Sequence, residues 1–270
     1  MAEIRGAHHR ANRLLAALEP ADLAALEPHL QTVRLRHNEV LHEAGDPLRH
    51  AYFPHDTVVT LVAALGDGRS TEMAVYGCEG AVGLVGTIVT WQLFGRYIVQ
   101  AAGIASRIEL ERLHAVISQR PKVQQLMLHF SEAMMARVLQ NVACNAVHSV
   151  GARGCRWILS MHDRLNRDTV PLTREFLANM LGVQRSTVSS ITRALQEAGF
   201  IRQGRGVITV TDRAGLEGAF CECYGTVRRS FERLLPPHLR QGSNNGPTPE
   251  APLFLIMLKH WLVGAEQPRR

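Results

Sequence analysis

One segment, Leu172 to Thr211 (LTREFLANMLGVQRSTVSSITRALQEAGFIRQGRGVITVT), restricts what this chain can become more than any other. Thr173 is an N-cap residue, because its hydroxyl can accept from the unpaired amides of a first helical turn, and Glu175 favours the same positive end. Leu177, Ala178 and Leu181 then fall on one face at helical spacing, and Ala178 is small enough for a second helix to cross closely. Gly182 stands where a left-handed residue reverses the chain, and Val183 plugs the corner. Val188, Ile191 and Leu195 continue the apolar spacing on a longer second helix, which leaves Arg185, Ser186, Ser189, Ser190, Thr192 and Arg193 for other faces. A strand pair follows over Phe200 to Thr211, with Gly204-Arg205-Gly206 at its tip. An ordinary helical hairpin also tolerates helix-Gly-helix, but its outer face more often carries Glu and Lys than Arg, Ser and Thr. The pattern predicts a winged helix-turn-helix whose second helix enters a DNA major groove.

Charge agrees with that placement. Residues 1–149 hold 13 Lys and Arg against 14 Asp and Glu, whereas residues 150–240 hold 14 against 8, which accounts for the whole net charge of +6. Cations concentrated around the helix-turn-helix are the footprint of a phosphate-binding module.

Upstream, residues 12–31 show leucines at helical spacing, punctuated by Pro20 and Pro28. From Thr32 the period changes to two. Short strands are predicted around Val33–Leu35, Val40–Leu41, Tyr52–Phe53, Thr57–Leu65, Ser70–Tyr76, Arg96–Ala102 and Ser106–Leu110, with turns at Glu43–Pro47 and Gly66-Asp67-Gly68. Strands of this length and spacing suggest a small antiparallel barrel or roll. Pro121 to about His148 is then helical, with Val123, Leu126, Met127, Phe130, Ala133, Met134 and Val138 as an apolar stripe. Such a stripe either packs on its own roll or zips to the same helix of a second subunit. The second is the expectation, because a symmetric dimer presents two reading helices to one palindromic site, and Asn141 and Asn145 could set register at that seam. Ser149 to Arg164 is another helix, with Trp157, Ile158 and Met161 facing the helix-turn-helix and Arg153, Arg156 and Asp163 on its surface. Residues 212–235 read as helix again. Gln241 to Pro252 has linker composition, and the apolar run Leu253 to Ala265 is shorter than a bilayer span.

Several functions are disfavoured. No apolar run approaches the ~18–20 residues of a membrane span, and the first residues lack the apolar core of a signal peptide, so a cytoplasmic chain without membrane contact is expected. Five scattered cysteines do not make a disulfide framework. Cys221-x-Cys223 lacks a companion pair, so no metal site is expected. No nucleophile–base pair, phosphate loop or dinucleotide fingerprint appears, and Gly77 to Gly86 reads as turns, so no enzyme is expected.

The order of these parts and the motif LTREFLANMLGVQRSTVSSITRALQEAGFI resemble the Crp/Fnr family of bacterial transcription regulators. The resemblance runs over roughly residues 12–235, and EVLHEAGD, YFP and the glycines at 77, 80 and 83 carry it in the roll. It implies an α+β fold: an N-terminal antiparallel β-roll (double-stranded β-helix, cyclic-nucleotide-binding-like), a long dimerisation helix and a C-terminal winged helix-turn-helix. The implied domains are a sensor roll at 12–120, a dimerisation helix at 121–148, the DNA-binding domain at 149–215, a C-terminal helix at 216–240, and a linker and tail at 241–270. Implied partners are double-stranded DNA with a palindromic operator, a second copy of the chain, RNA polymerase and a small-molecule effector.

By the resemblance, Arg185, Ser186, Ser189 and Ser190 face bases, with Arg185 at a base-reading position suited to guanine. Thr173, Thr187, Arg193 and Arg205 would touch phosphates. Ser186 and Ser190 stand where the cyclic-AMP receptor protein has a glutamate and an arginine, so a different half-site is expected. In the roll, Gly83-Leu84 replaces the family's Gly-Glu pair and Arg96-Tyr97 its Arg-Ser or Arg-Thr pair. Leucine cannot hold a ribose hydroxyl, and tyrosine crowds a phosphate. These four residues mark the effector pocket, but classical cyclic-AMP binding is not expected there. An iron–sulfur cluster is not expected without N-terminal cysteines, nor is haem, although His42, His50, His55 and Cys78 lie in or near the roll. Two alternatives remain: a sensor whose output is protein contact, and a constitutive regulator with a structural roll.

Overall fold

The computed structural model describes residues 9–64, 66, 70–84, 95–165, 167–219 and 221–234. Part of the turn after Ala64, Gly86, the linker and the apolar run at 253–265 lie outside them. Two compact units divide the described chain: residues up to Val138 with the last helix from Arg229, and Leu139–Arg228.

In the first unit, short helices α1 (Arg13–Ala16) and α2 (Pro20–Leu26) precede seven strands, namely β1 (Gln31–Leu35), β2 (Val40–His42), β3 (His50–Pro54), β4 (Val58–Ala64), β5 (Ser70–Tyr76), β6 (Arg96–Ala101) and β7 (Gly103–Glu109). They form two antiparallel sheets ordered β1-β7-β3 and β2-β6-β4-β5. The strands lie where period-two patterning put them. Asn12 caps α1. Its Oδ1 accepts from Leu14 N and Leu15 N, and its Nδ2 donates to the carbonyls of Pro54 and Gly80 at 2.9 and 2.8 Å. A fully buried amide is thereby satisfied at all of these positions, pinning α1 to the roll.

Helix α3 (Leu110–Gln119) leads to the long helix α4 (Pro121–Val147). Its apolar stripe does not form the intersubunit seam expected from sequence. Val123, Leu126, Met127, Phe130 and Met134 are buried in the core of their own roll, with Val138 packed beside them. Phe130 seats over Gly80, where an added Cβ would lie 2.6 Å from the ring. Arg137, also buried, pairs with Glu79 at 3.0 Å, donates to the Val75 carbonyl and lies 5.0 Å from the Phe231 ring centre. A charge this deep needs all three partners, because an unpaired one would cost several kcal/mol, roughly 3–5. The other face of α4 exposes Leu128, Met135, Leu139 and Val142, each more than half accessible. Asn141 Oδ1 accepts from Arg156 at 2.7 Å, and Asn145 is exposed.

The second unit holds α5 (Val150–Leu165), β8 (Thr169–Pro171), α6 (Arg174–Leu181), α7 (Arg185–Glu197), the strand pair β9 (Ile201–Gly204) and β10 (Val207–Val210), and α8 (Arg213–Ala219). The predicted helix over 212–235 is in fact two, α8 and α9 (Cys223–Leu234), separated near Cys221. The three charges assigned to the surface of α5 are tertiary ties. Arg153 donates to the Leu181 carbonyl, Arg156 to Asn141, and Asp163 pairs with Arg213 at 2.8 Å and accepts from the Tyr224 hydroxyl. Among the described residues no helix is long and apolar enough to cross a membrane.

Phe130→Ala should lower unfolding free energy in urea by about 3–5 kcal/mol, by lost burial plus the cavity left behind. Gly80→Ala should cost about 1–3 kcal/mol, because the new methyl must displace a ring with no room to move.

Candidate nucleic-acid interface

The helix-turn-helix forms for the reasons legible in its sequence. The Thr173 hydroxyl accepts from Phe176 N at 3.1 Å and caps α6. Gly182, at φ 68°, ends it in the left-handed region, and Val183 N donates back to the Ala178 carbonyl at 3.0 Å. Leu177, Ala178, Leu181, Val188, Ile191 and Leu195 are all buried. Helix α5 crosses beneath at Gly154, where a Cβ would stand 3.6 Å from Leu181 Cδ1, and Trp157 meets Phe176 with ring centres 5.7 Å apart. Burial of this apolar side orients the remaining side of α7 outward.

That outward side carries Arg185, Ser186 and Arg193, all exposed, with Thr187, Ser189 and Ser190 half-buried among them. The Ser189 and Ser190 hydroxyls donate to the carbonyls of Arg185 and Ser186 at 2.9 and 3.2 Å, which leaves their lone pairs outward. Thr192, assigned to an outer face from sequence, is instead buried, and its hydroxyl donates to the Val188 carbonyl at 2.9 Å. The guanidinium of Arg185 is paired with Glu175 at 2.5 Å, but both side chains are more than half exposed. An exposed pair of this kind contributes about 0–1 kcal/mol, so it can exchange for a nucleic-acid contact.

The hairpin joins Gly204 to Val207 through the two-residue turn Arg205-Gly206, with Gly206 at φ 72°. Arg205 is exposed at its tip. Strand β8, not anticipated from sequence, pairs with β10 and completes a three-stranded wing ordered β8-β10-β9. Leu172 N donates to the Gly206 carbonyl at 2.9 Å, and Arg174 Nη2 donates to Gln203 Oε1 at 3.0 Å, so the wing is held to the start of α6. Arg174 and Arg202 are two further exposed cations beside the interface that sequence reasoning passed over. The signal for Arg174 was available. Both it and Arg185 occupy first turns, where the helix dipole opposes a cation, so helix stability does not explain their presence there.

In the roll, the four pocket residues divide. Tyr97 is buried, stacked obliquely on Tyr76 with centres 5.6 Å apart and edge-on to His42 at 6.1 Å. Burial pushes both tyrosine hydroxyls above their ordinary range and pulls His42 down, so this cluster is uncharged at neutral pH. Leu84 is buried as well, and Gly83, at φ 92°, lies where a Cβ would approach the His50 carbonyl to 3.1 Å. Strand alternation puts Arg96 on the opposite face, exposed and paired with Glu43 at 2.6 Å. Gly83, Leu84 and Tyr97 are therefore interior, and Arg96 is not with them.

The pair Cys221 and Cys223 also acquires companions that linear spacing did not supply. Cys144 and His148, one helical turn apart, bring a third sulfur and an imidazole to the same place.

The described residues thus contain a β-roll of two antiparallel sheets, a long helix and a winged helix-turn-helix with a cationic outer face. Residues 152–219 match the model of the Crp-like helix-turn-helix domain. The chain is 22% identical over 203 residues, 72% of its length and 91% of the relative's, to the CRP-like cAMP-activated global transcriptional regulator of Mycobacterium tuberculosis. The structure of FixK2 from Bradyrhizobium japonicum superposes with a TM-score of 0.61 at 16% identity, covering 71% of this chain and 98% of that one. The c-di-GMP responsive global regulator CLP of Xanthomonas campestris gives 0.59 at 16% identity, covering 71% and 99%. The chain thus carries a Crp-like helix-turn-helix domain, and its fold is shared with these two structures.

Gly182→Ala should destabilise the second unit by about 1–2 kcal/mol, since the added Cβ is strained at positive φ. Thr173→Ala should cost about 1 kcal/mol through the lost cap. Thermal unfolding followed by circular dichroism would check both.

Proposed function

We propose that the chain is a sequence-specific transcription regulator that binds a palindromic operator as a homodimer. One observation carries this reading: helix α7 buries Val188, Ile191 and Leu195 and turns Arg185, Ser186, Ser189, Ser190 and Arg193 outward beside a wing tipped by Arg205. Arg185 suits a bidentate contact to guanine, and the serines suit either donor or acceptor base edges. Thr173, Thr187, Arg193 and Arg205, with Arg174 and Arg202 added, would set register on the phosphates.

Dimerisation is supported by the exposed face of α4. Leu128, Met135, Leu139 and Val142 recur at spacings of seven, four and three, the interval of a two-stranded seam. Pairing there would offer two reading helices to half-sites about 34–36 Å apart. Activity would respond to the roll through residues 145–151, between the long helix and the DNA-binding domain, if a signal changes their geometry. RNA polymerase is the expected downstream partner, and no catalytic activity is assigned.

The signal is not proposed to be classical cyclic AMP. The leucine at 84, the tyrosine at 97 and an outward Arg96 held by Glu43 all oppose a cyclic-phosphate site. The same observation gives weight to a constitutive regulator whose roll is structural. Added cyclic AMP should leave DNA affinity unchanged.

Selection of bound sequences from a random duplex library, followed by salt titration of the winner, tests the central reading. A palindrome with half-sites one turn apart is expected, and absence of any enriched sequence at low salt would overturn it. On that operator, Arg185→Ala should cost about 1–3 kcal/mol and relax one base position, whereas Arg205→Ala should weaken all sequences alike and lower the salt slope by about 1. Leu139→Asp should yield monomers in sedimentation and lose operator affinity by about 10²–10⁴, the contribution of divalent attachment.

A further inference from the structure

We propose that Cys144, His148, Cys221 and Cys223 form a closed, four-ligand site for a zinc-class divalent cation within the DNA-binding unit. The four candidate ligand atoms, three Sγ and one imidazole nitrogen, all lie within 4.8 Å of one another. Cys144 Sγ is 3.5 Å from Cys221 Sγ, and Cys223 Sγ is 3.5 Å from His148 Nδ1. Zinc with sulfur at about 2.3 Å and nitrogen at about 2.0–2.1 Å places tetrahedral ligand atoms roughly 3.5–3.8 Å apart. Two opposite edges of that tetrahedron are therefore already at the right length. Little movement is needed to close the other four.

The surroundings match a ligand set better than a patch of apolar packing. Three buried sulfurs alone could be core, since a thiol packs as a small hydrophobe. Packing does not explain why an imidazole turns Nδ1 toward Cys223 while Nε2 faces Glu222 Oε1 at 3.3 Å. That carboxylate–imidazole–metal order fixes the tautomer in which Nδ1 keeps its lone pair for the ion. Gln140 Nε2 donates to Cys223 Sγ at 3.1 Å, an interaction that favours thiolate over thiol. Three sulfurs and one nitrogen select a soft or borderline cation over magnesium or calcium. Four protein ligands leave no open position, so the site is structural, not catalytic. On binding, the thiols coordinate as thiolates and their protons pass to solvent.

The placement gives the ion a consequence. Cys144 lies on the last turn of the long helix and His148 directly follows it, where His148 N donates to the Cys144 carbonyl at 3.0 Å. Cys221 and Cys223 lead into α9, beyond the wing. An ion bridging them ties both ends of the winged domain together and stiffens residues 145–151, the hinge on which the proposed regulation rests. The site itself does not depend on that reading, and it can be measured without DNA.

The test is a cobalt titration of the full chain, reduced with a phosphine and freed of metal by a chelator. Cobalt should develop the ligand-field and thiolate charge-transfer absorption of a tetrahedral site, saturate at one equivalent and be displaced by one equivalent of zinc. Glu222→Gln, a change at an exposed side chain that preserves the fold, should weaken binding about ten- to hundredfold. Cys223→Ser and His148→Ala should remove the tetrahedral spectrum, and Cys155→Ala should leave it intact, with circular dichroism confirming that each variant is folded. Absence of a saturable tetrahedral band in the reduced wild-type chain would overturn the proposal. So would a band that survives Cys144→Ser with Cys221→Ser, or a Cys144–Cys221 disulfide that persists under the reductant.

Discussion

The docking of the long helix on its own roll is the constraint on which the rest of the molecule depends. Phe130 needs the missing side chain of Gly80 to seat, and Arg137 needs Glu79, the Val75 carbonyl and the Phe231 ring to remain charged in a buried position. Once these contacts form, one face of the helix is committed, and only the face bearing Leu128, Met135, Leu139 and Val142 remains for another partner. A helix with two apolar faces can serve both the roll and a second partner. A helix with one would have to choose.

The DNA-binding unit follows a different logic, in which local chemistry decides nearly everything. A hydroxyl at Thr173 starts α6, positive φ at Gly182 stops it, and apolar residues at 188, 191 and 195 set the rotation of α7. The orientation of Arg185 is a by-product of that rotation. Its ion pair with Glu175 keeps the guanidinium solvated and paired without burying it, so little stability is given up when a stronger acceptor arrives.

The roll keeps its architecture while losing the polar groups expected of a cyclic-nucleotide pocket. Tyr97, Tyr76 and His42 form an uncharged aromatic cluster, and Arg96 lies across the strand from it. Alternation along a strand makes that separation unavoidable, because adjacent residues point to opposite faces of the sheet. A neighbouring-residue motif in the sequence therefore does not guarantee that both side chains reach one ligand.

The helix-turn-helix, the strands of the roll and the long helix were legible from sequence because each depends on contacts between residues a few positions apart. Thr173 with Phe176, Gly182 with its own backbone, and the period-two and 3.6 patterns all belong to that class. What the sequence left open involves residues far apart along the chain. Whether the stripe from Val123 to Val138 met the roll or a second subunit was settled by Gly80, about 50 residues upstream of Phe130. The burial of Thr192, the use of Asn141 by Arg156 and the meeting of Cys144 and His148 with Cys221 and Cys223 are likewise outcomes of packing. Sequence by itself determined the local elements and which helix of the motif turns its polar side outward, because backbone sterics and periodicity act over one or two turns. Only the tertiary structure decided which faces were spent on the core and which distant side chains became neighbours, because that depends on how whole elements fill space against one another.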